Sequence, residues 1–263
     1  LYVAAGALVG GLVGLTGVGG GSLMTPLLIL FFGQSPSVAV GTDLLFASIT
    51  KIAATGSFGV SRRIVWPIVG RLALGSLPGA AAVLAVLAFT HHRDLRADRL
   101  VMVALGSMLL VTAAAMLLER VLRARVRRPE HAAGATDQDR FTDATRKRLT
   151  IGVGVLLGIA VTLTSVGAGA LGTIALLYLF PRLSTDRLVG TDIAHAVPLT
   201  LLAGLGHASL GHMDAAVLGY LLMGSIPAVL LASRLALRLP HRVLRVLLAI
   251  MLAIVGTKIL LGR

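Results

Sequence analysis

The 263-residue chain is 56% hydrophobic and only 13% charged, with a mean hydropathy of +0.92 and a net charge of +13. Soluble domains carry roughly 25% charged residues, which excludes a soluble enzyme, and this apolar mass excludes a disordered chain. With 31 Gly and 9 Pro a coiled coil is excluded too, and the absence of Cys removes disulfides, thiolate metal sites and cysteine catalysis together.

No charged side chain precedes Asp43, and residues 149–181 form a second uncharged run of thirty-three. Both exceed the roughly 20 apolar residues that cross a bilayer. Period-2 alternation is absent, so the expectation is an all-α, polytopic transmembrane helical bundle rather than a barrel. Residues 1–18 lack a basic start and run into glycines, which reads as a membrane segment and not as a cleaved leader.

In chain order, apolar segments 3–16 and 22–32 flank a glycine break; at ~1.5 Å per residue each is too short to span alone. Segments 38–58, 64–89 and 100–118 follow, all long enough to cross. A polar stretch then holds nine Lys/Arg against five acids between Glu119 and Thr150. Placement in a linker and in short loops is a topology signal, so nucleic acid is not an expected partner. The second half repeats the series with 151–163, 170–180, 188–206, 215–233 and 243–261.

The halves are a tandem duplication. Leu15–Gly21 answers Leu163–Gly169 at an offset of 148; Gly41-Thr42-Asp43 answers Gly190-Thr191-Asp192, and Gly75-Ser76-Leu77-Pro78 answers Gly224-Ser225-Ile226-Pro227, both at 149. Duplication of this kind is how many transporter folds are built. The units are an N-terminal repeat 1–120, a basic cytoplasmic linker 121–148 and a C-terminal repeat 149–263. Two topologies fit. A kinked spanning helix at each break gives parallel repeats; a re-entrant hairpin gives three further crossings per half and inverted repeats. The inverted arrangement brings Arg182, Arg187, Arg234, Arg238, Arg242 and Arg245 to the linker side, and the charge rule favours it.

Thr16-Gly17-Val18-Gly19-Gly20-Gly21-Ser22 makes little sense as lipid-facing helix, because irregular backbone at membrane depth is tolerated only where it is buried or lines a cavity. A glycine loop opening a helix aims N–H groups at one point and suits an anion. Ser22 is a candidate N-cap, and Thr16 and Thr25 are candidate hydroxyl donors; close packing is the other reading, and it fits Gly6, Gly10 and Gly14 best. Asp43 and Asp192 hold equivalent places about two turns into their helices, where an intramembrane carboxylate points to a pathway, a relay or a structural partner. Lys51, eight residues after Asp43, pairs loosely with it, faces substrate or snorkels to an interface. His195, one turn after Asp192, is placed to share a proton with it. His207, His212 and Asp214 read as loop polarity, with no metal motif. Pro78 and Pro227 read as kinks.

Gly17-Val18-Gly19-Gly20-Gly21-Ser22 with Pro26, followed by Ala39-Val40-Gly41-Thr42, resembles the first repeat of the TauE/SafE family of sulfite and sulfonate permeases. Gly211-His212-Met213-Asp214, Gly224-Ser225-Ile226-Pro227, the Arg234–Pro240 run and Gly256-Thr257-Lys258 are similar to the family's C-terminal repeat. The resemblance implies a multi-pass inner-membrane transporter of sulfur-containing anions such as sulfite, a sulfonate or sulfoacetate. Two departures stand out: Asp follows Gly-Thr twice where such proteins commonly have Ser, and the second glycine loop carries Ser165, Ala168 and Ala170.

The resulting expectation is a secondary transporter, not an enzyme, that needs no cofactor. Its partners are a small anion, the lipid bilayer and a coupling proton. Substrate contacts are expected at Thr16, Gly19, Gly20, Gly21, Ser22, Thr42 and Lys51. The second repeat is expected to add Thr164, Ser165, Gly167, Gly169 and Thr191. Proton coupling is expected at Asp43, Asp192 and His195. The alternatives are another small carboxylate or oxyanion, a cation suited to two carboxylates, or a passive anion channel.

Overall fold

The computed structural model describes residues 1–16, 21–57, 64–89, 95–126, 142–167, 169–235 and 241–261. The described residues form ten helices and no strand. These are α1 (Tyr2–Thr16), α2 (Gly21–Phe32), α3 (Pro36–Ser57), α4 (Trp66–Phe89) and α5 (Leu95–Val126), then α6 (Asp143–Thr164), α7 (Ala170–Leu179), α8 (Thr185–Ser209), α9 (Ala215–Leu235) and α10 (His241–Leu260). Windows in α4, α5, α6, α8 and α9 are long and apolar enough to cross a membrane. Phe31, Leu74, Phe89, Leu156, Met223, Leu231 and Ile254 are all well exposed, a rim that water would penalise and acyl chains accept.

Two helices run further than hydropathy suggests. α5 continues to Val126 and α6 begins at Asp143, so both enter the stretch read as linker. The start of α6 is built by local chemistry: Thr142 is its N-cap, its hydroxyl accepts from the Thr145 N–H at 3.3 Å, and Asp143 sits in the first turn. Charge there hides a helix from an apolarity reading. His207 is likewise not in a loop, since α8 extends through Ser209 and buries it.

The first two helices of each half fold back on each other. Tyr2, at the start of α1, stacks on Phe32, at the end of α2, with ring centroids 4.2 Å apart. In the second half the Arg146 guanidinium, in the first turn of α6, lies 5.8 Å over the Phe180 ring just past α7. A continuous helix through either break would hold those ends tens of ångströms apart at ~1.5 Å per residue.

Helix pairings come in matched sets. α1 packs on α9 as α6 packs on α4; α4 meets α8 as α9 meets α3; α2 meets α3 as α7 meets α8; α5 meets α7 as α10 meets α2. α1–α9 and α4–α6 are glycine seams: a Cβ at Gly6 or Gly10 would strike Leu221 or Ser225, and one at Gly154 or Gly158 would strike Leu72 or Ser76. Small residues let such backbones touch without lipid between them. α3 and α8 run antiparallel. Gly41 near the start of α3 abuts His207 and His212, and Gly204 abuts Leu45; Val65, just before α4, donates its N–H to Thr191 Oγ1 near the start of α8 at 3.0 Å.

α3 is the centre of the bundle. Every side chain from Ala39 to Ser48 is buried, so this helix needs no apolar face for lipid and carries Asp43 and Lys51 instead. The main apolar core gathers Val9, Met24, Leu28, Phe46, Leu105, Leu109 and Leu221 around it.

Candidate functional site

The site is organised by two Thr–Asp pairs in equivalent positions. Thr25, one turn into α2, donates both its N–H, at 3.1 Å, and its hydroxyl, at 2.5 Å, to Asp43 Oδ2 on α3. Thr173, one turn into α7, donates its hydroxyl to Asp192 Oδ2 on α8 at 3.0 Å, with the Gly169 carbonyl 2.6 Å from the same hydroxyl. Thr25 and Thr173 lie 148 apart, the offset of the glycine loops, so the pair is part of the duplication. Gly172 is what lets Asp192 approach α7: a Cβ there would run into its carboxylate. The second oxygens, Asp43 Oδ1 and Asp192 Oδ1, are buried with no hydrogen-bond partner among the described residues.

Lys51 joins the two pairs. It is 4% exposed on α3, within electrostatic reach of both Asp192 and Asp43. Of the three readings open for it, interfacial snorkelling suits a side chain this deeply buried least. His195 completes the cluster. It feels the Lys51 charge, and its Nε2 lies 2.8 Å from Ser76 Oγ on α4. The duplication breaks here, because the offset of 149 that carries Asp43 to Asp192 sets Phe46 against His195 and Thr200 against Lys51. Each half therefore carries one titratable residue, Lys51 or His195, that has no titratable counterpart in the other half.

Of the glycine loops, Gly17–Gly20 lie outside the described residues, so Gly19 and Gly20 have no placement here; Gly21 and Ser22 open α2 in helical backbone, and Thr16 closes α1. The second loop is more fully described. Ser165 ends α6 in left-handed backbone, φ 57°, with its N–H on the Val161 carbonyl. Gly167 and Gly169 follow at φ 110° and 124°, where a side chain is strained. The Ser165 hydroxyl comes close to the Asp43 carboxylate without reaching hydrogen-bond geometry, so the second half's loop meets the first half's acid. Thr164 turns away from the cluster, with its hydroxyl on the Ala160 carbonyl at 2.7 Å and accepting from the Val166 N–H at 3.2 Å.

Thr42 and Thr191 are occupied by structural bonds. Thr42 Oγ1 accepts from the Asp214 N–H at 3.1 Å, and Thr191 Oγ1 from Val65, so each pins the residue before a fourth helix of the opposite half. His207 Nε2 lies 2.9 Å from the Thr162 carbonyl, and Asp214 Oδ1 accepts from the Val217 N–H at the start of α9. Among the described residues no group of three His, Asp or Glu side chains could hold a metal.

Sequence reading did not pick out Thr173, Gly172 or Ser76 as part of a site. The first was visible in the alignment of the halves, as the partner of Thr25. Ser76 sits in the repeated Gly-Ser-x-Pro motif, where the proline drew the notice. Its counterpart Ser225 is buried with no partner among the described residues.

Comparison with known proteins agrees with this architecture. The family model for the sulfite exporter TauE/SafE matches residues 2–259. The chain is 39% identical over 260 residues to the "Probable membrane transporter protein YjnA" of Bacillus subtilis, covering 97% of both chains. It is 37% identical over 78 residues to the "Probable membrane transporter protein YunE" of the same organism, covering 30% of this chain and 27% of that one. No solved structure matches significantly. A family match along almost the whole length, on a helical bundle with membrane-spanning helices and a buried charged centre, makes this chain a multi-pass membrane transporter of the TauE/SafE family.

Proposed function

We propose that the chain is a proton-linked secondary transporter of a small sulfur-containing oxyanion, working as two inverted repeats whose re-entrant hairpins open to opposite sides of the inner membrane. The antiparallel run of α3 against α8, equivalent helices of the two halves, supports inversion, and so do the fold-back contacts Tyr2–Phe32 and Arg146–Phe180. Sulfur rests on the family description; anion binding rests on the molecule's own centre.

The observation that carries the reading is Lys51, buried where both halves converge and answered by two carboxylates. An ionised Asp43 occupies the donors that an oxyanion would use, namely the Thr25 N–H and hydroxyl. Two charges 4 Å apart at an effective dielectric near 20 repel by ~4 kcal/mol, so carboxylate and substrate exclude each other. Protonation of both acids weakens the hold of Asp43 on Thr25 and, with Asp192 neutral as well, leaves Lys51 uncompensated. The oxyanion then takes both the donors and the positive charge. Proton and anion thus favour each other's binding, and the linkage is reciprocal.

Flux into proteoliposomes tests this. Sulfite and alkylsulfonates should move faster than sulfate or small carboxylates, and accumulate with an imposed pH gradient. Counterflow should be stimulated by trans substrate, as in a carrier and not a channel. Lys51→Gln should abolish flux and Lys51→Arg retain part of it. Undiminished flux in Lys51→Gln would end the reading.

A further inference from the structure

The two serines of the repeated Gly-Ser-x-Pro motif meet different chemistry. Ser76 on α4 has its Oγ 2.8 Å from His195 Nε2 on α8. Ser225 belongs to α9, which packs on α3, where Phe46 stands at the position equivalent to His195. Its hydroxyl is accordingly buried with no partner among the described residues.

The direction of the Ser76–His195 bond follows from what each group can reach. Ser76 is fully buried in the α4–α6 seam, where Gly158 packs against its backbone, and His195 is its one hydrogen-bond partner among the described residues. A hydroxyl hydrogen sealed there is satisfied only by Nε2, and a buried donor left without an acceptor is costly. The serine therefore donates, Nε2 accepts, and the neutral ring carries its hydrogen on Nδ1. His195 is 1% exposed, and its Nδ1 has no partner among the described residues. Asp192, one turn earlier, shares its face of α8, and the Lys51 charge on α3 reaches both side chains. A donor awaiting an acceptor thus belongs to the cluster that holds the buried ammonium.

We propose that His195, held by Ser76 as the Nδ1–H tautomer, donates a hydrogen bond to the transported oxyanion beside Lys51 and does not ferry the coupling proton. Ser76 acts through it, as a positioning residue. A ring protonated on Nδ1 and bonded at Nε2 has no free lone pair with which to take a proton from Asp192. A neutral N–H strengthens the hold on an anion without a second buried cation. The hold is one-sided, since Phe46 offers no donor at the equivalent place. The inference rests on the oxyanion reading above and names a further binding group within it.

Nitrogen NMR of isotope-labelled histidines in the full chain tests the tautomer without any ligand, the signal being identified by its loss in His195→Asn. Nδ1 should be protonated and Nε2 bare. Ser76→Ala should abolish that preference, while Ser225→Ala, at the equivalent serine, should leave it intact. A protonated Nε2 would overturn the proposal. Calorimetric binding of sulfite and methanesulfonate tests the role. His195→Phe, which copies the first repeat, should weaken binding about tenfold or more, as loss of a hydrogen bond to a charged group does. His195→Asn, whose amide nitrogen takes the place of Nδ1, should recover part of that loss and still accumulate sulfite with a pH gradient. Size-exclusion chromatography confirms a folded chain in each. Undiminished binding in His195→Phe, or loss of proton-driven accumulation in His195→Asn, would overturn the proposal and leave the transport reading standing. An unaltered chain that neither binds nor moves these anions would end both.

Discussion

The Tyr2 ring lies on the Phe32 ring at an interplanar angle of 20°, and this one contact closes a loop of thirty residues between the ends of α1 and α2. The second half makes the same closure with different chemistry, a guanidinium over a ring. Phe32 and Phe180 are 148 apart, so the aromatic acceptor belongs to the duplication; its partner does not, since Tyr2 corresponds to Thr150 and not to Arg146. In the proposed re-entrant arrangement such a closure would bring a hairpin's chain ends to one membrane face and send its tip inward.

The proposed inverted repeats predict a labelling pattern. In this Cys-free chain, single cysteines at Ala133 and Ala236 should both resist an impermeant reagent applied outside, while one at His92 should react. Outside labelling of the Ala236 site would require parallel repeats.

The glycine seams predict two opposite outcomes for one substitution. Gly158→Ala forces a Cβ against the Ser76 backbone and should cost ~1–3 kcal/mol by overpacking. Gly152→Ala, two turns earlier on the same helix, meets nothing within 4 Å and should gain about 0.5–1 kcal/mol from helix propensity. Thermal unfolding in detergent should move the midpoint down for the first and up for the second.

The Thr–Asp pairs should differ in what they lose. Thr25→Val leaves its N–H on Asp43, whereas Thr173→Val removes the hydroxyl that donates to Asp192. A buried hydrogen bond to a charged group is worth ~1.5–3 kcal/mol, so Thr173→Val should lower the unfolding midpoint more than Thr25→Val. Thr173→Ser should restore most of the loss.

Asp192→Asn should uncouple transport from protons. The amide keeps an acceptor for Thr173 but cannot ionise, so substrate binding by isothermal calorimetry should survive while flux ceases to follow a pH gradient. Loss of binding at every pH would make the carboxylate a ligand or a structural partner instead.

Much of the fold was legible because hydropathy and duplication are one-dimensional signals. The apolar segments became helices, and Asp43, Lys51, Asp192 and His195 were visible as polar residues where lipid forbids them. What was hidden depends on the third dimension. Ser76 reads as part of a proline kink until α4 is laid against α8. Thr42 and Thr191, expected at the substrate, are engaged across 172 and 126 residues by backbone N–H groups that no spacing rule connects to them. α3 has the composition of a poor membrane span because its side chains from Ala39 to Ser48 are buried inside the bundle.

Those two threonine bonds bear on how the protein is made. Thr42 waits for Asp214, and α1 waits for α9, so when the first repeat has left the ribosome its glycine seam still faces lipid and its first threonine has no partner. The second repeat must be threaded into place around it before either half is complete. Biogenesis is therefore a closing of two interlocked clasps late in synthesis.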